Sequence, residues 1–136
     1  MSLCSMDRSG ESMIPAMRNE NASHVDFGFL RGMIPANPFF MPSNIDMIIE
    51  RKGKFIFGEW KREGEQMKLG QKLLLLSLAK YHTVLLITGY SQDEETNVSK
   101  VQVVTCNGKL NLLGNTKESL ITYLKDWYDA VERNKI

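Results

Sequence analysis

The apolar residues near the middle of the chain fall in two short stretches, residues 46–50 and 54–60, which the polar sequence Arg-Lys-Gly separates. The β-branched and aromatic residues of these stretches predict strands, and the Arg-Lys-Gly sequence at 51–53 predicts a tight turn between them, since glycine can take a positive φ. Both faces of the second stretch are mainly apolar, as expected of a strand covered on both sides. The pattern therefore predicts a β-hairpin whose second strand lies inside a sheet.

The next stretch changes to a helical pattern. Residues 65–82 are rich in helix formers, and four consecutive leucines at 73–76 predict a helix buried on more than one side, against the sheet and against a partner subunit. Residues 83–88 form a β-branched and leucine run that ends at Gly89, so strand, helix and strand predict a crossover with two parallel strands. A polar loop over 91–97 and a further strand over 98–105 follow.

A final helix is predicted to begin at Asn115 or Thr116, with Glu118 in its first turn. Its apolar stripe consists of Leu120, Ile121, Leu124, Trp127, Tyr128 and Val131. Near the other end of the chain, a short helix over 17–32 is weakly marked, and three prolines between 35 and 42 predict an extended passage. We predict an α/β fold, with a mixed central β-sheet flanked by helices, in a single domain over 17–136 after a flexible tail over 1–16.

Composition places the chain among ordinary globular proteins. It has 136 residues, 43% of them hydrophobic and 24% charged, which is enough for a core without disulfides or metal. Two cysteines far apart in the sequence indicate a reducing compartment. The first residues lack the continuous apolar segment of a secretion signal, and no apolar run is long enough to span a membrane. We expect a cytoplasmic protein.

The net charge of +1 argues against a protein that coats nucleic acid, because such domains carry a strong basic excess. The distribution is uneven, however. Residues 51–72 contain seven basic and three acidic side chains. The candidates for nucleic-acid binding in this segment are Lys54, Arg62, Lys68 and Lys72.

Two carboxylates and a lysine stand at the end of the predicted hairpin. Strands are depleted in Glu and Lys, yet Glu59 and Lys61 close the second strand, and a period of two sends both to one face. Asp46 begins the first strand. Two carboxylates can hold Mg²⁺, which prefers oxygen ligands, while a lysine can stabilise a phosphate.

This order of residues resembles the PD-(D/E)xK nuclease superfamily, which includes restriction endonucleases and Holliday-junction resolvases. The sequence Ser-Asn-Ile-Asp ending at Asp46 stands for the first motif, Glu59-Trp60-Lys61 for the second, and Leu-Gly-Gln ending at Gln71 for a helical glutamine found in some branches. The likeness covers residues 43–90. It departs from the family because the motif's proline is not adjacent to Asp46; the nearest, Pro42, lies four residues before it.

The resemblance implies a restriction-endonuclease-like core and a metal-dependent nuclease acting on DNA, branched and single-stranded substrates included. It implies Mg²⁺, with Mn²⁺ as a substitute, bound by Asp46, Glu59 and the backbone carbonyl of Trp60. Lys61 would orient the attacking hydroxide or neutralise the charge that develops on the phosphorane, and Gln71 would position water or substrate. By analogy such a nuclease pairs as a homodimer. The third acidic ligand of many members has Glu20 as its better candidate here and Asp26 as the weaker.

Each of these residues also has an ordinary structural interpretation. Asp46 can be a turn residue, Glu59 and Lys61 an exposed pair where a strand leaves the sheet, and Gln71 a helix-surface residue. Two alternatives to a nuclease follow. One is a non-catalytic nucleic-acid-binding module that keeps the nuclease fold, and the other is an oligomeric interaction protein built around the leucine-rich helix.

Overall fold

The structure is a computed structural model that describes residues 25–136. The chain divides into two compact units, Met1–Pro42 and Ser43–Ile136. In the first unit the described residues contain one 3-10 helix, Gly28–Leu30, which ends where Arg31 turns extended. A longer helix over 17–32 is therefore wrong for residues 25–32, and residues 17–24 lie outside the described part. The predicted tail and the predicted single domain stay predictions.

The second unit is a five-stranded mixed sheet with two helices, so the predicted α/β class is confirmed. The strands lie in the order β1-β2-β3-β4-β5, in which only β2 and β3 are parallel and the other neighbours are antiparallel. The elements are β1 (Met47–Arg51), β2 (Lys54–Arg62), α1 (Leu69–Ala79), β3 (Thr83–Gln92), β4 (Glu95–Val104), β5 (Leu110–Gly114) and α2 (Lys117–Glu132).

The hairpin and the crossover are confirmed. Lys52 and Gly53 take φ values of 52° and 80°, the left-handed conformation that a two-residue turn requires. The backbone N–H of Gly53 also donates to the Glu50 carboxylate at 2.9 Å. After β2 the chain returns through α1 to β3, which pairs with β2 in parallel. The strand begins at Met47, so Asp46 immediately precedes it rather than opening it.

Each face of the sheet carries one helix, and β3 lies between them. On the α1 face Leu75 packs with Val84, Leu86 and Val104. On the α2 face the buried cluster consists of Ile56, Leu85, Ile87, Trp127 and Val131. Consecutive residues of β3 thus alternate between two apolar clusters. Burial of each such side chain is worth about 1.5–3 kcal/mol.

Helix α1 is shorter than predicted and buried on one side. A turn precedes the helix, which begins at Leu69 rather than Glu65. In this turn Gly64 has a φ of 82°, and the Arg62 N–H donates to the Glu65 carboxylate at 2.9 Å. Of its leucines only Leu75 is buried, whereas Leu69 is 70% and Leu73 is 55% exposed. The prediction of a helix buried on more than one side is wrong for this chain alone; whether a partner subunit covers the exposed side stays a prediction.

The predicted loop over 91–97 is wrong, because β3 and β4 continue through it as a long hairpin. Asp93 and Glu94 form its two-residue turn, with φ values of 51° and 65°. The polar residues on either side of this turn are mostly exposed, so the sequence there does not alternate between apolar and polar residues. β5 was not predicted at all.

Helix α2 begins as predicted. The N–H of Ser119 donates to the Thr116 hydroxyl, and the Ser119 hydroxyl accepts from the Thr116 N–H, both at 3.1 Å. This reciprocal pair confirms the predicted cap. In residues 25–136 neither helix has the length and apolar character that crossing a membrane would require.

Candidate functional site

The site lies at the end of β2, where the chain before β1 runs beside it. Met47 is opposite Gly58 in the antiparallel register, so continuing that register by one residue places Asp46 opposite Glu59. The Asp46 carboxylate accepts a hydrogen bond from the backbone N–H of Trp60 at 2.8 Å. This bond anchors Asp46 to the second motif although it lies outside the strand.

Glu59 is the one buried charged residue among residues 25–136, with 4% of its surface exposed. Its Oε2 accepts a hydrogen bond at 2.7 Å from the side-chain amide of Gln71, in the first turn of α1. Its Oε1 is buried and has no hydrogen-bond partner within the described residues. Such an oxygen costs free energy unless something satisfies it.

The surroundings raise the pKa of the Glu59 carboxyl to about 7. Burial is the largest cause, followed by the negative charge of Asp46, and the charge of Glu65 adds a smaller repulsion. Two carboxyls this close cannot both ionise easily. Near neutral pH the Glu59 carboxyl is therefore protonated in part of the molecules.

Lys61 lies beside this pair rather than in it. It shares the Glu59 face by the strand period, and it lines an adjoining cleft together with Glu65 and Lys72. Among the ion pairs of residues 25–136, none joins Lys61 to Asp46 or Glu59. The structure thus joins Gln71 to Glu59 by a hydrogen bond, places Asp46 beside Glu59 in the strand register, and leaves the lysine as their neighbour.

The predicted nucleic-acid-binding residues are spread along the molecule. Lys54 begins β2, roughly 23 Å from Lys61 at the usual rise of a strand, and is therefore distant from the site. Arg62 ends the same strand, Lys68 immediately precedes α1, and Lys72 is exposed on the first turns of that helix.

The further metal ligands that the sequence suggested are not brought together. No group of three or more His, Cys, Asp or Glu residues that could hold a metal ion is present in the part of the chain from Val25 onward. Asp26 accepts a hydrogen bond from the Gly28 N–H at 2.7 Å in its own unit, and Glu20 lies outside the described residues. The Trp60 carbonyl stays a prediction. Two carboxylates with one unsatisfied oxygen still match the ligands that Mg²⁺ takes from proteins.

The sequence analysis did not identify Glu65, whose negative charge helps to raise the pKa of Glu59, or two residues that align with Lys61 across the sheet. Thr88 on β3 is the register partner of Lys61, and Lys100 on β4 is the partner of Thr88. Partners across strands project from the same face, so the three form a row. Nothing in the sequence gives the register of β3 against β4, and hence no signal identified Lys100.

Comparisons with known proteins add no relative. No family model, no curated protein and no solved structure matches this chain.

Proposed function

We propose that the chain is a metal-dependent nuclease that hydrolyses phosphodiester bonds in DNA, with a restriction-endonuclease-like core. The observation that supports this most is the buried Glu59 Oε1, which lacks a partner and adjoins a second carboxylate. A hairpin, a helix and a parallel strand in this order agree with that core. The family assignment rests on the three motifs.

Asp46 and Glu59 would hold the cation, Mg²⁺ or Mn²⁺, with the Trp60 carbonyl completing the protein ligands. Bound there, the ion would lower the pKa of a water and neutralise charge on the phosphate. Gln71 occupies Oε2 of Glu59, so coordination would fall to Oε1, the buried oxygen that has no partner. The Trp60 N–H fixes the Asp46 carboxylate in the same way.

Lys61 would contribute positive charge next to the scissile phosphate. Lys61 lies on the same face as Glu59 and lines the cleft, where Lys72 adds a second cation. Charge that is already in place where negative charge develops lowers the barrier to hydrolysis.

The test is cleavage of duplex, branched and single-stranded DNA with Mg²⁺ or Mn²⁺. We expect Asp46→Asn and Glu59→Gln to abolish cleavage, and Glu50→Gln to retain it, since Glu50 is an exposed carboxylate at the far end of β1. An inactive protein, or activity that survives Asp46→Asn, would refute the nuclease.

The second candidate is a non-catalytic nucleic-acid-binding module that keeps this fold. Its supporting observation is the burial of Glu59, whose raised pKa lets a proton neutralise the carboxyl without metal. Calorimetric titration with Mn²⁺ at pH 8 separates the two candidates. Only the nuclease should show a heat of Mn²⁺ binding, and this heat should be absent in Asp46→Asn.

A homodimer remains part of the proposal. Leu69 and Leu73, one turn apart on α1, are largely exposed and can pair with a second copy. Sedimentation of the wild type and of Leu73→Glu tests this, and a dimer that becomes a monomer is the expected result. A wild type that sediments as a monomer at all concentrations would remove the dimer.

A further inference from the structure

A cleft of about 570 Å³ opens between the start of α1 and the sheet, next to Lys61. Its floor and wall are aliphatic, formed by Leu76, Leu86 and Val104, and Leu110 of β5 borders it. Lys61 and Lys72 supply its positive charge, which exceeds the one negative charge of Glu65, and Gln66 is a further polar residue of the lining. The volume falls within the usual range of about 300–1,000 Å³ for small-molecule sites.

The lining indicates what the cleft can accept. Apolar walls favour a group with little charge, whereas the two lysines favour an anion attached to it. A nucleotide combines both, a base with two apolar faces and a phosphate.

The row of Lys61, Thr88 and Lys100 lies beside the cleft, where a nucleic-acid strand can run along it. These residues occupy successive strands of one sheet face. At the usual spacing of strands, Lys61 and Lys100 are separated by about 10 Å, with the Thr88 hydroxyl between them. A nucleic-acid strand that crosses β2, β3 and β4 along this row can place neighbouring phosphates at Lys61 and Lys100.

We propose that the cleft binds an unstacked base of the substrate strand while its phosphate lies at Lys61. The substrate is then nucleic acid with an unpaired nucleotide, such as a single strand or a flap, rather than continuous duplex. A paired base cannot enter the cleft unless it leaves the stack, which costs a few kcal/mol. This inference depends on the proposed function only for the position of the scissile phosphate.

The test measures binding without cleavage. Fluorescence anisotropy in EDTA, with Asp46→Asn as the parent protein, compares a labelled oligothymidylate with a duplex of the same length. We expect the single strand to bind at least about tenfold more tightly, because a paired base must first leave the stack. Equal affinity, or preference for the duplex, would overturn the proposal.

Two pairs of variants locate the binding. Leu110→Trp fills the cleft and should weaken single-strand binding by about tenfold, whereas Leu112→Trp, on the same face of β5 and outside the cleft, should leave it unchanged. Both positions are exposed, so the fold should tolerate tryptophan. As a second pair, Lys72→Glu should weaken binding and Lys80→Glu, at the other end of α1, should weaken it much less. Equal effects within both pairs would reject the cleft.

These results are independent of catalysis. Single-strand binding that is lost in Leu110→Trp supports the cleft even if no preparation cleaves DNA, and the second candidate function then applies. Cleavage by the wild type that is indifferent to strand pairing and to Leu110→Trp overturns the cleft and leaves the nuclease standing.

Discussion

Gln71 donates its side-chain amide to the Glu59 carboxylate at 2.7 Å, and this bond joins the crossover helix to the strand it follows. It satisfies one oxygen of a buried carboxylate and leaves the other without a partner. A protein selected only for stability would satisfy both oxygens or replace the charge with an apolar group. The arrangement is therefore most easily understood as a site that accepts a ligand or a proton.

Removing the Gln71 side-chain amide should lower the stability of the protein, because the buried Glu59 carboxylate then has no hydrogen-bond donor. In Gln71→Ala the Oε2 of Glu59 loses its donor, so both oxygens of the buried carboxylate are left without one, and we expect the free energy of unfolding at pH 8 to fall by about 1–3 kcal/mol. Lys72→Ala, the next residue on α1 and exposed, is the control and should change stability little. Chemical denaturation of both variants measures the difference. Equal losses would show that the hydrogen bond contributes nothing specific.

Replacing the carboxylate itself should stabilise the protein, in a manner that depends on pH. The Glu59 pKa is about 7 in the folded protein against an ordinary value of 4.5, so folding favours the protonated form. Its contribution to stability is therefore fully present below pH 4.5, declines as pH rises from 4.5 to 7, and is lost above pH 7.

Glu59→Gln removes this dependence, because an amide does not ionise. We expect the variant to be more stable than the wild type at pH 8, and the advantage to shrink towards pH 5. Unfolding in denaturant at both values measures it, with Glu50→Gln as an exposed carboxylate for comparison. An advantage that does not change with pH would contradict the raised pKa.

Metal affinity should rise with pH for the same reason. A cation at Asp46 and Glu59 must displace the proton that the pair holds, so Mn²⁺ affinity should increase by up to about tenfold per pH unit below pH 7 and level off above it. Calorimetry in buffers of different ionisation enthalpy counts the released proton. Binding that is independent of pH between 6 and 8 would place the metal elsewhere.

The local sequence predicted those parts of the fold and site that depend on neighbouring residues. The turn at Gly53 folds β2 back along β1, so Asp46 and Glu59 were expected to lie close together. The observed strand register, continued by one residue, places them opposite each other. The cap at Thr116 was likewise a matter of adjacent residues.

Features that depend on packing or on distant register were not predictable. The burial of Glu59 follows from the position of α1 over the sheet, and the alignment of Lys100 with Lys61 follows from two strand pairings. The β3–β4 arm was missed because strands exposed on both faces lack the apolar alternation that identifies them.

A close approach of two strands beside Trp60 gives the last prediction. A Cβ added to Gly89 would lie 2.6 Å from the Trp60 ring and 1.9 Å from the backbone oxygen of Asn97, which cannot move without breaking the β3–β4 pairing. We therefore expect Gly89→Ala to destabilise the protein by about 3 kcal/mol or more. Gly70→Ala is the matched control, since a Cβ there meets nothing within 4 Å and alanine favours the helix, which should add about 0.5–1 kcal/mol. Thermal unfolding distinguishes the two, and a Gly89→Ala protein as stable as the wild type would refute the tight contact that supports the Trp60 end of the site.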